Sequence, residues 1–597
     1  MAAADEKLVD LWTQRKADAQ NHRNLWEDRW VTNWELYRNT RRTPRTMGQQ
    51  SWRSNRQLPD AFRVIETMVP HHIKTIFRTN DWFSVESPGA PPNTYPLLVK
   101  SLLLHGWRKA DGFRKTINAV KLGNILGHFI AKVHWSVELG EKEVLDFSPE
   151  LDADGEVISQ GPRRVTVPDV RHNGPQITIP DLMNVWQDPS GQMRWAIEKI
   201  PGGMADLNEL NRQFNGKLYK NLKQLNARRA MSTAIAGGRG PSSDRPSIAD
   251  QTEGISDYLT QDPDHVELWQ CWGWVPPDIR RYEDTQWRLQ VIADEGTLIR
   301  DEKAPTPDHR PPYINVQGVP IPNQLYGDSV LSYVGDLIEL RSNIENLRHD
   351  EILLQIFGTH VVHADANVDG RFFKHPGGYM KVRPPFGRPI SEVFQQVPRH
   401  PILPESYTES AVKERQILDA TGATEPFQGS FAGGGSHRTA SEFQGTVNLG
   451  SARIELATMW MDESFKKPTL KKMFQFYQTR LTDPEMIRLA GQGNVAGEVD
   501  LGDLEWDVDI YVDSGLFGSL DQTKFASLNQ FLQTMYANPE TAIHIDPRKL
   551  TNVISARLGI TGMDDVLRTP EEVAQIKQQQ QQQALAEAAA GGSSAPK

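Results

Sequence analysis

The sequence predicts an α+β fold, mainly helical with small β-sheets, spread over several domains. Three observations predict it. At 597 residues the chain is too long for one ordinary core and long enough for three or four domains. Apolar residues recur at three- and four-residue spacing over long stretches, as amphipathic helices require. Between them lie short β-branched and aromatic runs bounded by Gly, Pro, Asn and Asp, the pattern of short strands.

The elements follow in chain order. Residues 5–38 read as one helix, with Trp26, Trp30, Trp34 and Tyr37 on a stripe that packs on its own domain or docks a neighbouring subunit. Arg41, Arg42, Arg45, Arg53 and Arg56 then crowd a loop containing Pro44 and Gly48, either solvated or in contact with an anion. A helix is expected from Pro59 to Trp82 and another from Leu97 to Leu126, followed by a strand from Phe129 to Trp135. Residues 230–264 turn to Gly, Ser, Pro, Asp and Thr and read as a long mobile loop. Strands resume at Val266–Trp274 and Trp287–Ile292, and Leu298-Ile299 closes a small sheet.

From Asp328 to Phe357 the sequence predicts a helix about 45 Å long. Val330, Val334, Leu337, Ile344, Leu347 and Leu354 form its apolar stripe, and its charged residues are six acids against two bases. A β-rich insert with Gly377-Gly378 and Pro384-Pro385 separates it from a second helix, Glu405 to Ala420. The two stripes exceed what a thin helical hairpin buries by itself, so the helices are expected to assemble with other copies. A glycine-rich loop, residues 427–436, then opens a long helix to Leu481 that carries Thr439 and Glu442 in capping-box spacing and is kinked at Pro468. That loop has neither the lysine of a phosphate-binding loop nor a clear strand before it, so it reads as flexible. The acidic stretch from Glu498 to Asp513 reads as a solvated face, and the tail with Gln578 to Gln583 as a fraying helix.

Composition narrows the function. The 66 Lys plus Arg against 76 Asp plus Glu give a net charge of −10, the wrong sign for a chain that grips phosphates. One cysteine, Cys271, excludes a disulfide framework and a multi-thiolate zinc site. The sequence contains no Walker lysine loop, no H-E-x-x-H and no G-x-S-x-G, so no cofactor and no catalysis are expected. No apolar stretch is long enough to span a membrane, and Met1 to Glu6 lacks the pattern of a signal peptide; a reducing, cytoplasm-like compartment is the expectation.

The order of several short segments resembles the portal (head–tail connector) proteins of tailed bacteriophages, particularly of short-tailed phages. The carriers are Trp34-Glu35-Leu36-Tyr37, Leu58-Pro59-Asp60-Ala61-Phe62, Asp81-Trp82-Phe83-Ser84-Val85 and Leu122-Gly123-Asn124-Ile125-Leu126-Gly127. Lys132-Val133-His134-Trp135, Tyr326-Gly327-Asp328-Ser329 and Arg438-Thr439-Ala440-Ser441-Glu442 complete the set.

The resemblance implies a ring, commonly of twelve copies, at a unique capsid vertex of the virion, assembled in the host cytoplasm. Double-stranded DNA is packaged and ejected through its channel. The implied partners are the terminase large subunit, then a tail adaptor, with the major capsid and scaffolding proteins around the ring and no membrane. By resemblance, residues 1–325 look like the wing, 326–358 like the first stem helix, 359–403 like the clip and 404–421 like the second stem helix. Residues 422–437 look like the tunnel loop, 438–481 like the long kinked wing helix and 482–597 like the crown with its tail. The implied tunnel-loop residues are Phe427, Gly429, Phe431, Gly433, Gly434, Gly435, Ser436, His437 and Arg438. The implied channel acids of the stem are Asp336, Glu339, Glu345 and Asp350, and the clip contributes Phe372, Phe373, Tyr379, Lys381 and Arg383. An acidic channel suits sliding, because every neutralised phosphate adds counterion-release affinity. Two other classes stay open: an oligomeric virion scaffold without a channel, and an enzyme with an untemplated carboxylate site.

Overall fold

The computed structural model describes residues 2–40, 53–77, 82–87, 95–146, 150–151, 157–159, 163–236, 265–357, 360–362, 367–368, 382–383, 389, 394–396, 404–423, 453–481, 485–488, 496–499, 501–504, 506–512, 530 and 533. Helix and sheet are both extensive, as the α+β expectation requires.

The chain begins with α1 (Ala2–Arg38), one unbroken helix that serves two cores. Its first half sets Leu8, Trp12 and Ala19 against Trp186, Trp195, Trp269 and Ile292. Its second half sets Trp26 and Trp30 into the main core, so the aromatic stripe packs on its own protomer. Arg23 between the two cores is fully buried and donates to the carbonyls of Leu182 and Val185 at 3.3 and 2.8 Å. A buried guanidinium is tolerated because its donors are taken up by fixed acceptors, among them Glu27 at 2.7 Å.

Next come α2 (Asp60–Ile76), β1 (Phe83–Glu86), α3 (Tyr95–Lys109) and α4 (Gly112–Leu126). The helix expected to run unbroken from Leu97 to Leu126 is two helices. Asp111 takes a left-handed backbone with φ 55°, and a Cβ on Gly112 would lie 2.3 Å from the Trp107 ring, so the chain turns a corner where glycine permits it. The expected helix to Trp82 stops at Ile76.

The strand expected at Phe129–Trp135 is the root of a longer one, β2 (His128–Asp146). After β3 (Glu150–Leu151) and β4 (Val157–Ser159), it pairs antiparallel with β5 (Arg163–Thr178), and β11 (Tyr313–Gln317) closes its other edge from His128 to Lys132. A second, five-stranded antiparallel sheet is made by β6 (Val185–Gln187), β7 (Trp195–Gly203), β8 (His265–Trp274), β9 (Trp287–Ala293) and β10 (Thr297–Lys303), in the order β10-β9-β8-β7-β6. Between β7 and β8 lie α5 (Met204–Gln213) and α6 (Leu222–Ala236). Helix α6 runs seven residues into the stretch expected to be a loop from residue 230, because Ala230, Ala234 and Ala236 favour helix; residues 237–264 lie outside the described residues.

Then follow α7 (Gly335–Phe357), the short strands β12 (His360–Val362), β13 (Asn367–Val368), β14 (Val382–Arg383) and β15 (Phe394–Gln396), and α8 (Glu405–Thr421). Helix α9 spans residues 453–480. Where a kink was expected at Pro468, residues Asp462–Lys466 form a π-helical turn and the helix continues from Lys467. Proline removes one i→i−4 bond, and the wider turn just before it absorbs the misfit. The turn buries an Asp462–Lys466 ion pair at 2.7 Å, with the Lys466 ammonium 4.4 Å from the centre of the Trp82 ring. Beyond α9, the described strands are β16 (Glu485–Arg488), β17 (Ala496–Val499) and β18 (Asp509–Val512), the last pairing with β1.

Candidate functional site

Two of the quoted segments, Leu122–Gly127 and Tyr326–Ser329, are far apart in sequence and meet at the root of α7. Gly318 N donates to the Gly127 carbonyl at 2.8 Å, and Asp328 and Val319 exchange backbone hydrogen bonds at 3.0 Å each. Ser329 Oγ donates to the Asn124 carbonyl at 2.7 Å and accepts from Leu331 N at 3.0 Å. Backbones approach so closely here that a Cβ on Gly318 would sit 2.1 Å from the Gly123 carbonyl oxygen. This β-bridge is why α7 begins at Gly335 and not at the expected Asp328, with one 3-10 turn, Leu331–Tyr333, between.

Tyr326 anchors the same root. Its ring centre lies 4.9 Å from that of His128, 5.2 Å from Trp30, 5.7 Å from His22 and 5.9 Å from Trp26. Burial pushes its hydroxyl up to about 12 and holds His128 down to about 3, so both stay uncharged near neutrality. The root of α7 is therefore clamped by α1, by the end of α4 and by β2, with no free hinge.

Beyond Ile338 the buried face of α7 is not the expected stripe. Below Leu331, Val334 and Ile338 it is polar: Ser342, Asn346 and Asp350, each one turn after the last, are buried. They hold an extended strap, residues 53–58. Asp350 Oδ1 accepts from Ser54 N at 2.6 Å, Asn346 Oδ1 from Arg56 N at 2.9 Å and Ser342 Oγ from Leu58 N at 3.2 Å. Asn346 Nδ2 returns a bond to the Arg56 carbonyl at 2.8 Å. The backbone of an extended, non-strand segment is thus satisfied by side chains on one helix face, which meets the demand of buried backbone groups for partners.

Helix α8 lies antiparallel on a second face of α7. Arg341 bridges Asp60 at 2.5 Å and Glu414 at 2.7 Å, and Arg63 holds the other Glu414 oxygen at 2.7 Å. One turn on, Ser410 donates to Glu345 at 2.9 Å, Glu345 pairs with Arg348, and the Arg348 guanidinium lies 4.3 Å from the centre of the Tyr407 ring. A third face is left over. There the expected Ile344 and Leu354 are half-buried, while Leu347 and its neighbour Leu340 are exposed at 54% and 44%. Of the expected stripe, Val334 is buried and Val330 and Leu337 pack on the core, whereas Ile344, Leu347 and Leu354 face away from it.

Of the four expected channel acids, Asp336 and Glu339 are exposed, Glu345 is engaged with Ser410 and Arg348, and Asp350 is buried on the strap. In the insert, Arg383 lies in β14, whereas Phe372, Phe373, Tyr379 and Lys381 lie outside the described residues, as do Phe427, Gly429, Phe431, Gly433, Gly434, Gly435, Ser436, His437 and Arg438. Sequence reasoning missed Ser342, Asn346 and Arg341. A polar row at i, i+4 and i+8 inside an amphipathic helix was the available signal. Among the described residues, no cluster of three or more metal-ligating side chains occurs and no helix is long and apolar enough to cross a membrane.

No curated protein matches the sequence. The sequence model of the family described as phage SU10 portal protein matches residues 215–591, more than half of the chain and a span that includes α7, α8 and α9. On that match the chain belongs to the phage SU10 portal protein family.

Proposed function

We propose that the protein forms a closed homo-oligomeric ring at one capsid vertex, through whose channel double-stranded DNA is packaged and later ejected. In this reading residues 1–325 are the wing, α7 and α8 the stem, residues 359–403 the clip, 422–437 the tunnel loop and 482–597 the crown. The clip receives the terminase motor during packaging and the tail adaptor afterwards. The observation that carries the reading is the third face of α7. A helix clamped at its root and strapped along its flank still presents Leu340 and Leu347, exposed at 44% and 54%. The paired α8 adds exposed Tyr407 and Val412. Apolar side chains in a row on a rigid helix pair call for cover by another molecule, and repetition of the same unlike contact around an axis closes a ring.

The chemistry of the site fits passage better than reaction. The polar groups of α7 are consumed in structure, and the exposed acids Asp336 and Glu339 offer no grip to phosphate. Negative-stain images and native mass spectra of the purified protein test the ring: a closed ring with an axial hole is expected without nucleotide or metal. Monomers alone across the micromolar range overturn it. Passage is tested separately by shortening Gly433-Gly434-Gly435, which is expected to leave the ring intact and lower the DNA packaged per particle.

A further inference from the structure

Strands β2 and β5 stay paired through fifteen positions, from Lys132 with Thr178 to Asp146 with Arg163, while β11 covers only the root. From Val137 to Leu145, an arm about 26 Å long, no third strand pairs with the two among the described residues. Every side chain from Glu141 to Leu145 is exposed. Successive side chains point to opposite faces, so this end of β2 is open on both of its faces among the described residues. Val137, Val144 and Leu145 are exposed at 56%, 43% and 52%, beside the acids Glu138, Glu141 and Glu143. A lone ribbon of this kind is marginal in water.

At the root of the arm is a cavity of about 820 Å³ between β2, the five-stranded sheet and the end of α9. Trp135, Trp272 and Phe476 line it, and Phe214, exposed at 57%, belongs to its wall. Its two acids are engaged: Glu198 with Lys132 and the Tyr313 hydroxyl, Asp181 with Met183 N at 2.8 Å. Of its bases, Arg480 donates to the neutral Pro305 carbonyl at 3.0 Å, and Arg300 pairs with Glu302 at the surface. The lining is mainly apolar with Arg300 and Arg480 at its margin, which suits Leu145 flanked by Glu141 and Glu143, the latter in a loose surface pair with Arg164 at 3.7 Å.

We infer that the arm of each copy seats Leu145 in this cavity of the next copy, with Glu141 and Glu143, on the same face of the strand, meeting Arg300 and Arg480. The inference rests on the ring reading above. A protomer's own arm does not serve. Val137 lines that protomer's cavity, and Leu145 stands eight extended residues further out, about 26 Å away. Knob and socket therefore lie at different places on one protomer, as a head-to-tail ring contact needs. The occupant is a second copy and not an independent protein because of area. One face of the arm offers roughly 300 Å², well short of the roughly 800 Å² per partner of a stable complex. It suffices only for a neighbour that the α7–α8 face already holds.

The test places cysteines at Leu145→Cys and Phe214→Cys in one full-length chain and treats the purified protein with a bis-maleimide. Cys271 is buried with its thiol pushed up by burial, so it adds no background. A ladder of covalent multimers is expected from the double variant and none from either single variant. Rings in micrographs without a ladder overturn the inference and leave the ring standing; wild-type protein that forms no ring overturns both. Leu145→Asp changes an exposed residue and is expected to keep the melting temperature while lowering ring yield at least tenfold. Glu143→Arg is expected to weaken the ring likewise, and Arg480→Glu in the same chain to restore it. If Leu145→Asp leaves ring yield unchanged, or lowers only the capture of rings by capsids, the arm belongs to the capsid and the inference fails.

Discussion

Gly127 carries two burdens that a second glycine allows to be separated. Its φ is 80°, and a Cβ there would lie 2.3 Å from the Asp328 carbonyl carbon; Gly191 has φ 75° with open space around it. Gly191→Ala measures backbone strain alone, about 1 kcal/mol, whereas Gly127→Ala adds an overpacking cost of about 1–3 kcal/mol at the root of α7. Denaturant unfolding of the two variants side by side checks the difference, and equal losses would show that the root relaxes. The buried histidines give a second prediction at this scale. Burial lowers His72 to about 4, with His71 adding to it, and lowers His128 to about 3 and His134 to about 4. Unfolded histidine titrates near 6.5, so between about pH 6.5 and 4 the unfolded chain binds protons that the folded chain refuses. These groups cost nothing above pH 6.5, and as the pH falls through that window each removes up to about 1.4 kcal/mol per pH unit. Unfolding midpoints at pH 7.5, 6 and 5 are expected to fall, and His72→Leu to flatten the slope by one proton. The sequence shows such residues and says nothing of their state: His71 and His72 are neighbours in the chain, yet only His72 is buried.

At the scale of elements, α7 explains why periodicity revealed a helix and misled about its core. The spacing of Leu337, Ile344, Leu347 and Leu354 fixes one face of a helix at 100° per residue, which is a local property and legible. What covers a face is a property of distant chain. Here the buried side faces a strap of bare backbone, and backbone demands hydrogen-bonding partners, so Ser342, Asn346 and Asp350 occupy positions where a core would place leucine. Asn346 serves three groups: the Arg56 amide, the Arg56 carbonyl and the Ser54 hydroxyl at 2.9 Å. Asn346→Ala is therefore expected to cost about 2–3 kcal/mol, and Ser342→Ala about 1 kcal/mol. Hydrogen exchange at the Arg56 amide should quicken in the first variant and stay slow in the second. If both variants exchange alike, the strap is held by something other than this row. The break between α3 and α4 failed to register in the sequence for a related reason: Asp111-Gly112 inside a helical period is an ordinary sight, and only the Trp107 ring pressed against Gly112 makes it a corner.

For the molecule as a whole, the charge pattern and the apolar pattern constrain one another. A ring that passes DNA must bind itself firmly and DNA weakly, so its apolar residues belong between copies and its acids toward the axis. On the proposed reading, the net −10 and the row on α7 answer to those two demands separately. Both were legible before the fold was known, because they depend on which residues are present and at what spacing. The clamp at the root of α7 was not, since Gly127 and Gly318 are 191 positions apart and neither has a side chain to advertise the contact. The clamp has a mechanical consequence: α7 carries load into α1, α4 and β2 without a hinge, so loss of its outer contacts should not disturb the protomer. Leu340→Asp with Leu347→Asp changes two exposed side chains and leaves the strap and the Arg341 bridge untouched. The double variant is expected to keep the circular dichroism and melting temperature of the isolated protomer while shifting native mass spectra from rings to monomers. A loss of about 1–3 kcal/mol per buried leucine contact, repeated at every junction of the ring, makes that shift complete at micromolar protein. Rings that persist in this variant would mean that the stem face is covered by something other than a neighbouring copy, and that the wing alone holds the assembly together.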